Sequence, residues 1–74
     1  MDYNQKKRKY NELRTELYRN GITQIDLAKA LGQSRTTISA KLRGDAVVSL
    51  PDVVIIAKLL NISNSECMRM LLEQ

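Results

Sequence analysis

Cys67 is the single cysteine and histidine is absent. An internal disulfide, a Cys/His zinc site and a nucleophile activated by histidine therefore cannot be assembled from these residues. The eight acidic residues are scattered singly, three of them, Asp26, Asp52 and Glu66, at expected helix starts, where they serve as caps rather than as acid/base pairs. Catalysis, a metal, a cofactor and a small-molecule substrate are not expected. What remains is hydrogen bonding and charge, and it concentrates between Thr23 and Arg43, with no acid from Gln33 to Gly44. A carboxylate in that stretch would repel a phosphate. Arg35 has the fork to donate two hydrogen bonds to guanine O6 and N7, Thr36 and Ser39 can donate or accept at base edges, and Ala40 offers a methyl contact to thymine. Thr23, Gln24, Ser34, Thr37 and Arg43 are the phosphate candidates; Gln24 begins a helix, where free N–H groups and the positive dipole end favour an anion. Each of these residues taken alone reads as well as an ordinary solvated helix side chain.

For them to act together, two helices must cross at a short turn. Thr23, with Asp26 three residues on, caps a helix over residues 24–31, and Gly32 ends it in the left-handed conformation. After Gln33, Ser34 caps the next helix, residues 35–43, which Gly44 ends. Ala28, Gly32 and Ile38, at offsets of 4 and 6, supply the small residue at the crossing, the residue free to take positive φ and the apolar anchor. Residues 23–43 thus have the spacing of a helix-turn-helix; a plain helical hairpin is the bland alternative, since all three residue types are common.

The surrounding elements follow from periodicity and punctuation. Tyr10, Leu13 and Leu17 predict a first helix over about residues 5–19, stopped at Asn20-Gly21. Ser49, Asp52 and Pro51 open a fourth helix running to about Asn61. The β-branched run Val53-Val54-Ile55-Ile56 also suits a buried strand, but the caps and the Ala57-Lys58-Leu59-Leu60 continuation favour helix. Ser63 with Glu66 opens a fifth, over residues 63–74. The expectation is an all-α fold, one domain of four or five helices over residues 1–74.

With 43% apolar and 27% charged residues the chain falls in the globular range. Its apolar runs are far short of the roughly 20 residues of a membrane span, and no apolar stretch follows the basic start, so the expected location is the cytoplasm. Residues 1–44 hold ten Lys/Arg against four Asp/Glu, whereas residues 45–74 hold two against four. One half is therefore suited to a polyanion, although an asymmetric solvated surface has the same composition. Lys6, Lys7, Arg8 and Lys9 form a basic run that is either an arm along the nucleic-acid backbone or the solvated first turns of the first helix.

From Tyr10 to about Met68 the chain resembles the Cro and lambda-type phage repressors, most closely through Thr23–Gly32, Thr37-Ile38-Ser39 and Ala57–Ser63. That resemblance implies a four- or five-helix domain, a homodimer on double-stranded DNA with half-sites about 34 Å apart, and repression by blocking transcription. It also implies a phosphate contact for Gln24 and base proximity for Arg35, Thr36, Ser39 and Ala40. Lys41 departs from a position often apolar or aromatic in the family, and Ala40 is smaller than many residues at its place.

In the last helix Cys67, Met68, Met70, Leu71 and Leu72 exceed what one face of a short helix needs for a small core. Met68, Leu71 and Leu72 are therefore candidates for a dimer interface, against the alternative that all pack inward; Cys67 reads as a small core residue. A protein-binding module that sequesters another regulator, in the manner of an antirepressor or antitoxin, is the rival reading, and predicts DNA binding without sequence preference. Nonspecific nucleic-acid or RNA binding would call for aromatic platforms, and only Tyr3, Tyr10 and Tyr18 are available, all around the first helix.

Overall fold

Each helix boundary is set by a few residues acting locally. In the computed structural model, which describes residues 10–72, Thr23 Oγ1 accepts from the Asp26 N–H at 3.1 Å while the Asp26 carboxylate accepts from the Thr23 N–H at 2.9 Å. This capping box satisfies two N–H groups that have no partner inside a helix and opens α2, Gln24–Leu31. Ser34 Oγ accepts from the Thr37 N–H at 3.1 Å and opens α3, Arg35–Arg43. Ser49 and Asp52 repeat the capping box at α4, Leu50–Leu60, with Pro51 in the first turn, where its missing N–H forfeits no helical bond. Ser63 Oγ accepts from the Glu66 N–H at 3.0 Å at α5, Asn64–Leu72. The β-branched run of α4 is helical, burying Val53, Ile56, Ala57 and Leu60 along one stripe.

The terminators are equally local. Gly32 sits at φ 67, and the Gln33 N–H turns back to the Ala28 carbonyl at 3.0 Å, closing α2. Asn61, at φ 59, does the same for α4, with the Ile62 N–H on the Ala57 carbonyl at 3.0 Å. Asparagine tolerates this region better than most side chains do.

The first helix differs from expectation at its start. It is α1, Asn11–Arg19, and Tyr10 stands outside it in the left-handed conformation at φ 55, so the helical ladder cannot run back through it. Tyr10 still packs on the core, and this is why its spacing from Leu13 and Leu17 reads as helical.

All five helices of the described residues contribute to one core: Leu13 and Leu17, Leu27, Ile38 and Leu42, the α4 stripe, and Cys67 and Met70. Cys67 is fully buried, and burial pushes its thiol up. Arg14 donates to the Leu42 carbonyl at 3.1 Å, capping the end of α3 from α1. Arg69 clasps Glu66 on its own helix and Glu12 on α1, tying the last helix to the first. Both pairs are well exposed, so they orient α5 more than they stabilise it.

Candidate nucleic-acid interface

The turn between α2 and α3 is three residues, Gly32-Gln33-Ser34, and brings Ile38 under α2 beside Leu27. Ala28 lies half-buried at the crossing, where its single methyl permits close approach. With Ile38 and Leu42 inward, the helical turn of about 100° per residue gathers Thr36, Ala40 and Arg43 on the opposite side of α3. Arg35 is exposed in the first turn of α3, about 100° around the helix from Thr36, and Ser39 lies on the flank toward α2.

Arg35 and Thr36 are exposed and make no side-chain hydrogen bond or ion pair among the described residues. They are free to engage a ligand without first breaking anything. Ala40 is half-buried. Ser39 is engaged: its hydroxyl donates to Gln24 Oε1 at 2.6 Å, bridging that flank of α3 to the start of α2. A serine hydroxyl has one proton, so toward any ligand Ser39 keeps only lone pairs, and Gln24 keeps its Nε2 protons.

The remaining phosphate candidates are also partly committed. Thr23 Oγ1 accepts from the Asp26 N–H as a cap, and its own proton faces the Asp26 carboxylate. The hydroxyl of Ser34 is given to Thr37 Oγ1 at 2.9 Å. Arg43 Nε holds Asp45 Oδ2 at 3.0 Å, but both side chains are more than half exposed. Such a pair is worth at most about 1 kcal/mol and yields readily to a stronger anion. Asp26 lies at the same end of α2; its bonds from the Thr23 N–H and hydroxyl hold its carboxyl below the usual range, so it stays ionised at neutral pH.

The sequence reading missed a buried polar junction behind this face. Lys41 Nζ meets Asp52 Oδ2 at 2.5 Å and Gln33 Oε1 at 2.8 Å; Gln33 Nε2 donates to Asp52 Oδ1 at 3.0 Å; and the Ser49 N–H donates to Asp52 Oδ2 at 3.0 Å. Burial pushes the Asp52 carboxyl up, but the bonds from Lys41, Ser49 and Gln33 outweigh it and hold the group below the usual carboxylate range. The available signal was Lys41 itself, a lysine between Ile38 and Leu42 on the inward side of α3, which requires an acid across from it.

Of the dimer candidates, Met68 and Leu71 are half-buried against the core, while Leu72 is 74% exposed. With Tyr10, Val47 and Leu50 they border one open apolar depression. Lys6, Lys7, Arg8 and Lys9 lie outside the described residues. No helix among the described residues is long and apolar enough to cross a membrane, and none of their side chains cluster as metal ligands.

No curated protein matches the chain. Residues 12–66 match the helix-turn-helix family HTH_3, a span that starts in α1, contains the whole α2–turn–α3 unit and reaches into α5. That span is well over half of the chain, and the residues that shape it are those that cap, turn and anchor the two crossing helices. The protein therefore belongs to the helix-turn-helix family HTH_3, whose members are DNA-binding transcription regulators.

Proposed function

We propose that this protein is a Cro-like repressor that binds a specific double-stranded DNA site as a homodimer, with α3 in the major groove. The observation that carries this reading is the acid-free surface of α3, where Arg35 in the first turn and Thr36 on the outward face are exposed and without internal partners, beside the capped start of α2. Arg35, Thr36 and Ala40 read base edges, and Thr23, Gln24, Ser34, Thr37 and Arg43 set the register on phosphates. Ser39 contributes through Gln24 and through its lone pairs. Lys6, Lys7, Arg8 and Lys9 add charge along the backbone. The two copies meet through Met68, Leu71 and Leu72, where α5 leaves apolar surface uncovered. Such a regulator works in the cytoplasm, on the nucleoid.

The exposed Val47, Leu50 and Leu72 also suit a second reading, a module that holds another regulator through this apolar surface. Selection of bound duplexes from a random pool at about 150 mM salt separates the two, because nonspecific phosphate binding is weakened there. A two-fold symmetric enriched motif is expected, and Arg35→Ala should lose about 1 to 3 kcal/mol on that motif and much less on random DNA. A folded sample that enriches nothing would transfer the case to the protein-binding module.

A further inference from the structure

Asp52 is the one buried charged or polar residue among those described, and its partner Lys41 belongs to the recognition helix. Their side chains are 4% and 14% exposed and are set among Leu31, Ile38, Val48 and Ile56. The junction joins three parts of the fold: Gln33 from the turn, Lys41 from α3, and Asp52 with its cap partner Ser49 from the start of α4. Both oxygens of the Asp52 carboxylate and two of the three ammonium protons of Lys41 are used.

Stability alone does not account for such a junction. Removing two charges from water costs about as much as their attraction returns, and apolar side chains of similar volume in the same place are often as stable or more so. Hydrogen bonds differ from apolar contact in having direction. An apolar residue at position 41 would hold α3 against α4 while leaving it free to roll slightly; four bonds converging from three segments do not. Roll matters because Lys41 lies about 100° around the helix from Ala40 and about 140° from Thr36. At a side-chain radius of about 6 Å, a roll of about 10° moves those outward groups by about 1 Å, twice the roughly 0.5 Å within which a recognition group must be held.

We infer that Lys41, through Asp52 and Gln33, is a positioning residue for sequence recognition: it sets the roll of α3 without touching DNA. This rests on the proposed DNA-reading function. It also explains how a lysine on this helix is withdrawn from the phosphate backbone, and why Gln33, in the turn, is turned inward.

The test is the double variant Lys41→Met/Asp52→Leu, compared with the natural protein by fluorescence anisotropy on the selected duplex and on a scrambled one. The expected result is a folded variant whose melting temperature falls only by what the Asp52 half of the α4 capping box contributes, an affinity for scrambled DNA within about twofold, and an affinity for the selected duplex lower by about tenfold or more, the equivalent of one good base contact. A folded double variant that keeps the natural ratio between the two duplexes would overturn the inference and leave the junction a packing element. Should the double variant not fold, Asp52→Asn, which keeps the shape and removes the charge, is read by the same ratio with the same two outcomes. A natural protein that does not distinguish the two duplexes would overturn the DNA-reading proposal and this inference with it.

Discussion

Ser39→Ala removes the hydroxyl that donates to Gln24 Oε1 at 2.6 Å and leaves the rest of α3 in place. Alanine favours helix, so the fold should be unharmed. What changes is Gln24: with Oε1 unheld, its amide rotates, and a phosphate contact from Nε2 must then order a free side chain. Losing a neutral hydrogen bond costs about 0.5 to 1.5 kcal/mol net, and immobilising a side chain on binding costs about the same. The lost hydrogen bond is a folding term shared by free and bound protein, so affinity loses only the ordering of Gln24, about 1 kcal/mol, close to fivefold. A phosphate contact carries no sequence information, so the loss should be equal on the preferred duplex and on a scrambled one. Gln24→Ala should do the same, and the double variant should bind no worse than Gln24→Ala, a coupling of about 1 kcal/mol. Anisotropy titrations of the three variants on both duplexes at one salt concentration read all of this. A Ser39→Ala loss confined to the preferred duplex and additive with Gln24→Ala would refute the reasoning and make Ser39 a direct base reader.

At Gly32 an added Cβ would meet nothing within 4 Å, so Gly32→Val should cost only left-handed backbone strain, about 1 to 2 kcal/mol, or a melting temperature lower by roughly 4 to 8 °C per kcal/mol. Gly32→Asn should be much milder, since Asn61 fills the same role at the end of α4; an unchanged melting temperature for the valine variant would refute the tight-turn account. Asp26, Asp52 and Glu66 all have carboxyls held below the usual range, Glu66 by its hydrogen bond from Arg69. Groups depressed in the folded state stabilise it fully above their unfolded values, near pH 4, and lose that contribution as acid takes the pH down through their folded values. Thermal scans should therefore be level above about pH 5 and fall below about pH 4, and a melting temperature that rises on acidification through that window would contradict the assignment. Because Leu72 is 74% exposed, Leu72→Glu places a charge on the apolar depression without entering the core. Sedimentation should find monomers, and an undiminished dimer would put the interface elsewhere.

Much of the architecture was legible because helix punctuation is short-range chemistry. A hydroxyl three residues ahead of an N–H, as at Thr23, Ser34, Ser49 and Ser63, or a glycine that takes positive φ, as at Gly32, acts within one turn of chain, and α2 and α3 begin and end where those residues say. The outward placing of Thr36 and Arg43 on α3 followed from Ile38 and Leu42 by helical periodicity. The start of α1 was not legible, because nothing in the residue type of Tyr10 announces a left-handed backbone. The division of α5 was legible in part: Cys67 lies in the core and Leu72 in solvent as read, while packing draws Met68 and Leu71 half into the core.

The clearest division is at Asp52. Its role as a cap for α4 could be read from Ser49 three residues before it, whereas its pairing with Lys41, 11 residues away, and with Gln33, 19 away, could not. The same holds for Ser39 and Gln24, 15 apart, and for Arg69 and Glu12, 57 apart. The sequence by itself determined the elements, their ends and the outward face of α3, because those depend on neighbours within a turn or two. Which side chains on that face remain free for DNA, and what holds the face at its angle, was decided by tertiary structure, because a donor can be committed only by an acceptor that folding brings within about 3 Å.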